Sequence, residues 1–215
     1  MQGAPPFSYL GFDVLAWVPD GIQGKSGSWE TPLERLDVPS GAFAVTAPAL
    51  HPIHGAKMIY RSQSRDTDHA PLWTWIESRM GRLTPFWCPT FQRDMDVVGL
   101  TLGTLTVTAV GYAARFAIDP SAKYLYVFND NGANAATVLV TGVVDNGDGT
   151  ETITYSTSVG EIGSTGSAVA ILLAADGISM LLFSRLGDDA ITQQFYTTEL
   201  IDTELAVTSI LNEQP

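Results

Sequence analysis

The stretch Asp68–Phe91, DHAPLWTWIESRMGRLTPFWCPTF, contains the clearest helical pattern in the chain. Five of its side chains recur at the i, i+3, i+4, i+7 and i+8 spacing that places residues on one helical face: Leu72, Trp75, Ile76, Arg79 and Met80. Pro71 suits a first helical turn, and Gly81 suits a C-terminal cap. The pattern therefore predicts a helix over about residues 70–80 that docks one face on a sheet.

The remainder of this stretch predicts a strand and leaves one tryptophan open. Trp73 lies off the predicted apolar face, so it is either a partly buried residue or a contact for a neighbouring subunit. Leu83–Phe91 is too rich in proline for a central strand and suits an edge strand or a strand with a bend. Cys88 is the only cysteine, which excludes an intramolecular disulfide, and its apolar neighbours indicate a small buried side chain.

Outside this stretch the chain reads as short strands and turns. It contains 20 Gly and 12 Pro with many Thr and Val, a composition that favours β-structure over a helical bundle. Residues 97–174 lack tryptophan and contain a hairpin-turn signal, Asp145–Gly149. Short strands are expected there at Thr104–Val110, Tyr124–Phe128, Thr137–Val144, Glu151–Tyr155 and Val169–Leu173.

Longer strands are expected from Gly177 onward, with a second hairpin turn at Gly187–Asp189 and a terminal strand that includes Leu205, Val207 and Ser209. The predicted fold is mainly β. Residues 1–96 and 176–215 form a split β-barrel or sandwich with one short α-helix, and residues 97–175 form an inserted small antiparallel β-domain.

The charge distribution argues against nucleic-acid binding. The net charge is −12, with 11 Lys and Arg against 23 Asp and Glu. Residues 94–215 carry all of this excess, with three cations against fifteen acids, so they lack the clustered cations that release counterions from DNA. The alternative explanation of the acidity is that it only keeps the protein soluble. No apolar run of about eighteen residues and no signal-peptide pattern occurs, so we expect no membrane partner.

No catalytic or metal-binding pattern is visible in the sequence. The three histidines lie within nineteen residues of each other, and no nucleophile elbow, HExxH, CxxC, phosphate loop or dinucleotide fingerprint occurs. His51 and His54 have a helical spacing for a shared metal, but nearby prolines and Gly55 argue against a helix there. We therefore expect no enzyme activity, catalytic residue, metal or cofactor.

Two stretches resemble the distal tail and minor tail proteins of long-tailed, siphovirus-like bacteriophages and of gene transfer agents. The first is the predicted helix followed by Gly81–Trp87, GRLTPFW. The second is Leu181–Asp189, LLFSRLGDD, followed by Phe195–Glu199, FYTTE, and a closing alternating strand. Together they cover about the first hundred and last forty residues. The family often ends on an acidic residue and a proline, which Asn212–Pro215 matches only approximately.

The resemblance implies a structural component of the virion tail that is assembled in the host cytoplasm. In that family such proteins form a hexameric ring that joins the tail tube protein to the hub and baseplate proteins. On this hypothesis the subunit contacts include the aromatic residues Trp73, Trp75, Phe86 and Trp87, with Arg79 and Arg82 as salt-bridge donors. Burial in the core of one subunit is the alternative for each aromatic side chain.

A second hypothesis comes from a different functional class. Tryptophan side chains on a β-sandwich also suit a carbohydrate-binding module, in which indole rings form platforms for sugars. Size-exclusion chromatography with light scattering distinguishes the two hypotheses, because the first predicts a hexamer and the second predicts a glycan-binding monomer.

Overall fold

A computed structural model describes residues 7–20, 25–30, 34–37, 43–46, 53–101, 103–129, 134–156 and 177–210. The described residues form fifteen strands: β1 (Phe7–Tyr9), β2 (Phe12–Val14), β3 (Lys25–Glu30), β4 (Glu34–Asp37), β5 (Phe43–Thr46), β6 (Ile53–Ser64), β7 (Phe86–Pro89), β8 (Met95–Thr101), β9 (Thr104–Thr108), β10 (Tyr124–Asn129), β11 (Asn134–Asp145), β12 (Thr150–Tyr155), β13 (Gly177–Leu186), β14 (Thr192–Phe195) and β15 (Leu200–Ser209). They also form two α-helices, α1 (Ala70–Ser78) and α2 (Tyr112–Ile118). The predicted mainly β class is confirmed.

Strand β13 connects the two halves of the molecule, because strands of both halves pair with it. Its second half lies between β7 on one side and β15 on the other, and β15 continues to β6 and then to the edge strand β3. Strand β7 also pairs in parallel with β2 through Val14 and Trp87. All but two of the strands join one 13-stranded sheet; β4 and β5 pair with each other.

The first half of β13 closes a six-stranded barrel. The hydrogen-bonded order is β13, β10, β11, β12, β9 and β8, and β8 pairs back to β13 through Met95 and Ile178. Its interior is filled by apolar side chains that alternate along the strands, such as Leu105, Val107 and Ile153. This barrel contains most of the segment predicted to be inserted. The boundaries at residues 97 and 175 remain a prediction, and the predicted strand Val169–Leu173 lies outside the described residues.

Two further clusters of buried side chains hold the remaining layers together. One joins α1 to the sheet through Leu72, Trp75 and Ile76, which are three members of the predicted helical face. The other joins the barrel to the sheet, because Tyr124 and Tyr126 on the outside of β10 pack against Trp87 and Phe183. Since β10 contributes to both the barrel and this second cluster, the barrel is packed firmly against the sheet.

Helix α1 ends two residues earlier than predicted, which changes the position of one residue. Met80 was predicted to complete the buried face, but 66% of its surface is exposed. The prediction is wrong because α1 ends at Ser78 and the backbone at Met80 adopts a positive φ of 49°, which takes its side chain off the helical stripe. The predicted C-cap at Gly81 is also wrong, because Arg79 is the C-cap and Gly81, with a φ of 65°, lies two residues beyond it.

The two predicted hairpin turns have different outcomes. Asp145–Gly149 joins β11 to β12, and its two glycines have φ values of 72° and 88°, so this prediction is confirmed. The turn at Gly187–Asp189 is not a hairpin, because β13 and β14 pair with successive parts of β15 rather than with each other. The chain continues along the same edge of β15, and the Gly187 N–H donates to the Ala206 carbonyl at 2.8 Å.

Helix α2 was not predicted and depends on a distant carboxylate. Glu151 on β12 is 2% exposed, and it accepts hydrogen bonds from the backbone N–H groups of Val110, Tyr112 and Ala113. These groups lie at the N-terminal end of α2, where helical N–H groups have no partner within the helix. The seven-residue helix is therefore held by a cap that comes from another strand.

In the part of the chain that the structure describes, neither helix has the length and apolar character needed to cross a membrane.

Candidate assembly surface

Three of the predicted contact residues lie inside the subunit. Trp75 is 4% exposed, and Phe86 and Trp87 have no exposed surface. Trp75 packs edge-on against Phe86 with ring centroids 4.9 Å apart, and the Trp87 indole N–H donates to the Tyr9 carbonyl at 2.9 Å. The structure thus places these aromatic rings in the core, which was the alternative for each of them.

Arg79 is held within the chain by a carboxylate and an aromatic ring. Its guanidinium Nη2 lies 2.5 Å from Asp13 Oδ2, and its Cζ lies 5.1 Å from the centroid of the Trp75 ring. The side chain is 9% exposed, whereas Asp13 is 34% exposed. The ion pair ties the end of α1 to β2, so Arg79 has a structural role in the single subunit.

Trp73 and Arg82 remain at the surface, as an assembly contact requires. Trp73 is partly buried, stacks on His69 with ring centroids 5.9 Å apart, and donates from its indole N–H to Glu77 Oε1 at 2.7 Å. Arg82 is exposed, and its backbone N–H donates to Asp189 Oδ1 at 3.1 Å. The hydrogen bond between Arg82 and Asp189 holds the chain after α1 against the segment between β13 and β14.

The segments that contain helix α1 and strand β14 contact each other at two points, and we call the surface that they form the α1–β14 ridge. His69 Nε2 and Gln193 Nε2 are 2.8 Å apart near the start of α1, and the contact of Arg82 with Asp189 marks the other end. Ile191 packs against the core cluster beneath α1. The ridge therefore consists of elements more than one hundred residues apart in the sequence.

Large apolar side chains are exposed at both ends of this ridge, and no sequence pattern singled them out. Met80 and Leu83 are 66% and 71% exposed at the end of α1. Phe195, Tyr196 and Leu200, from the end of β14 to the start of β15, are 65%, 56% and 40% exposed near the opposite end. Clusters of exposed apolar side chains on a folded chain are typical of interaction sites.

A polar groove of about 580 Å³ lies beside the second apolar end, on the face formed by β6, β14 and β15. Asp202 organises it, because its carboxylate accepts from the Ser62 backbone N–H at 2.6 Å and from the Tyr196 hydroxyl at 3.1 Å. The bond to Asp202 raises the pKa of Tyr196. Arg61 and Glu204 also line the groove, which therefore offers both charges to a partner.

The described residues contain no group of three or more His, Cys, Asp or Glu side chains placed to hold a metal ion. Cys88 is buried, and desolvation raises the pKa of its thiol, which disfavours the nucleophilic thiolate. Burial lowers the pKa of His69, with a smaller contribution from Arg65, and its imidazole is engaged by Gln193 and Trp73. Cys88 and His69 are therefore packed in the way that structural residues are packed.

Searches against protein-family models and curated proteins found no match to this chain.

Proposed function

We propose that this protein is a distal tail protein of a siphovirus-like tail, a non-enzymatic component that forms a ring between the tail tube and the hub or baseplate. The observation that carries the proposal is the convergence of the two stretches that resemble this family. They lie about one hundred residues apart, and the structure pairs them with each other. Trp87 on β7 is opposite Phe183 on β13, and Phe86 is opposite Ser184.

The same two stretches also contact each other beside the β7–β13 strand pair. The GRLTPFW stretch meets the LLFSRLGDD stretch again where the Arg82 N–H donates to Asp189. Asp189 also closes tightly over Gly81, since a Cβ built at Gly81 would lie 2.6 Å from its Oδ1. Gly81 and Asp189 therefore belong to one structural unit, which supports treating the two parts of the resemblance as one feature.

Exposed apolar side chains at two separate ends of the α1–β14 ridge support this proposal. Subunits of a ring contact each other head to tail, so each one must present two different complementary surfaces. The ridge has exposed apolar side chains near each end, with Met80 and Leu83 at one end and Phe195 and Tyr196 at the other.

The test is the oligomeric state of the chain, alone and co-expressed with the proteins encoded next to it. We expect light scattering to detect a hexamer, or a ring bound to the tube protein. Leu83→Asp should prevent this assembly, whereas Val98→Asp should not, because Val98 is 62% exposed on β8 away from the ridge. A chain that stays monomeric and binds neither tube nor hub protein would refute the proposal.

A further inference from the structure

A second cavity, distinct from the ridge, lies where the sheet meets the barrel. It has a volume of about 220 Å³ and is lined by groups from β3, β6, the β7–β8 connection and α2. Its principal lining residues are Trp29, His54, Gln92, Asp94 and Arg115. The proposed ring function uses none of them, and four separate chain segments bring them together.

Trp29 forms one wall of this cleft and contacts two other residues that line it. Its ring centroid is 4.6 Å from that of His54, and the Arg115 Cζ lies 5.3 Å from its centroid. Even with these neighbours, half of the Trp29 surface is exposed. Trp17, Trp75 and Trp87 are buried, so among the tryptophans Trp29 offers the most accessible indole surface in the described residues.

Asp94 provides an oriented acceptor in the cleft. Its Oδ2 accepts from the Met180 backbone N–H at 2.8 Å and from the Thr90 hydroxyl at 2.5 Å. Both bonds use the same oxygen, so Oδ1 keeps its capacity to accept from a ligand. The carboxylate is therefore positioned by the backbone of β13 before any ligand arrives.

Arg115 and His54 add hydrogen-bond donors to the cleft, and Asp119 balances the charge of Arg115. The Arg115 Nε donates to Asp119 Oδ2 at 3.1 Å, which uses one of the five guanidinium N–H groups. Burial lowers the pKa of His54, Asp94 opposes this effect, and Arg115 adds to it. A neutral imidazole has one donor and one acceptor nitrogen, so it can bind a hydroxyl group in either sense.

The charge and size of the cleft select a class of ligand. Arg115, Asp94 and Asp119 together carry a formal charge of −1, which disfavours phosphate and other anions. The side chains offer both donors and acceptors beside an aromatic surface, which matches hydroxyl groups and the C–H face of a sugar ring. The volume is below the roughly 300–1,000 Å³ of pockets for drug-sized ligands, so it suits a single ring.

We propose that this cleft binds a neutral saccharide, with one sugar ring packed on Trp29 and hydrogen-bonded by Asp94, Arg115 and His54. The site lies within one subunit and does not depend on ring formation. It gives the protein a glycan contact in addition to any role in assembly.

The probes are neutral hexoses, 6-deoxyhexoses and N-acetylhexosamines, each titrated while tryptophan fluorescence is recorded, with inorganic phosphate and sulfate as separate arms. We expect at least one sugar to give a saturable change. Trp29→Ala and Asp94→Asn should each weaken its binding by at least about tenfold. Val144→Ala is the control because it removes an exposed apolar side chain of β11 that does not line the cleft, and it should leave the affinity unchanged.

Circular dichroism and thermal unfolding of each variant establish that it is folded, and Trp29→Phe provides a milder change that retains an aromatic surface. Partial retention of affinity in Trp29→Phe supports the site. The proposal is overturned if no sugar in the panel binds, if only phosphate or sulfate binds, or if sugar affinity survives both Trp29→Ala and Asp94→Asn.

Discussion

Glu151→Ala tests how far a single carboxylate maintains helix α2. In the native structure Glu151 accepts from the N–H groups of Val110 at 3.1 Å, Tyr112 at 3.1 Å and Ala113 at 2.9 Å. Alanine removes the acceptor, and the Tyr112 N–H is then left in a buried position with no replacement partner from the side chain. The variant removes both the cap of α2 and the link between α2 and β12.

The expected loss of stability follows from the number and type of these bonds. One hydrogen bond to a charged group contributes about 1.5–3 kcal/mol, and a helix cap contributes about 0.5–2 kcal/mol. The three bonds share one carboxylate and are not additive, so we expect Glu151→Ala to lower the free energy of unfolding by about 3 kcal/mol. For a chain of this size that corresponds to a fall in Tm of about 6–12 °C.

Urea and thermal unfolding followed by circular dichroism measure this loss, and hydrogen exchange locates it. The amides of Tyr112 and Ala113 should lose protection more than those of β7. Glu30→Ala is the matched control, since Glu30 is exposed at the end of β3 and its removal should change stability little. If Glu151→Ala stays within about 1 kcal/mol of the native chain, α2 does not depend on this cap.

Three other predictions concern buried groups. Arg79→Ala should cost about 2–3 kcal/mol in urea unfolding because it removes a buried partner of Asp13, and a cost near zero would contradict the structural role of the pair. Cys88 is 5% exposed and its pKa is raised by desolvation, so a thiol reagent should label it only after denaturation; rapid labelling of the folded chain would contradict its burial. Burial, with a smaller contribution from Tyr124, raises the pKa of Tyr9 to about 12, from the ordinary value of 10.0. The folded state therefore favours the neutral phenol, and its contribution to stability is complete below about pH 10 and is lost as the pH rises through about 12. Phenolate absorbance of the folded chain should lag behind that of the urea-unfolded chain in this range, and coincident titration curves would refute the shift.

Local pattern identified the features whose stabilising groups are neighbours in the chain. The helical spacing of Leu72, Trp75 and Ile76 predicted the buried face of α1, and the turn at Asp145–Gly149 was evident from its glycines. The alternation of Leu205, Val207 and Ser209 correctly predicted one buried face of β15, since all three are buried. Each of these features depends on a period of 2.0 or 3.6 residues that is present in a short segment.

The sequence pattern did not predict a structural element correctly where residues far away in the chain stabilise that element. Nothing close to Tyr112 in the sequence marks a helix there, because its cap is Glu151 on another strand. The path of β14 was predicted as the return strand of a hairpin, but β15 offers a longer continuous edge that pairs with both β13 and β14. Local turn residues cannot distinguish these arrangements, since both need a break in the chain at the same place.

The sequence alone thus determined the β class, the position of α1 and the tight turn at Asp145–Gly149, because these depend on backbone preferences and short-range periodicity. The tertiary structure decided which tryptophans are core and which are surface: Trp75 and Trp87 are covered by other strands, whereas Trp29 stays half exposed. It also decided that His54, Asp94 and Arg115 meet at one cleft. Burial and convergence of this kind depend on partners far away in the chain, and strand pairing through β13 is what brings those partners together.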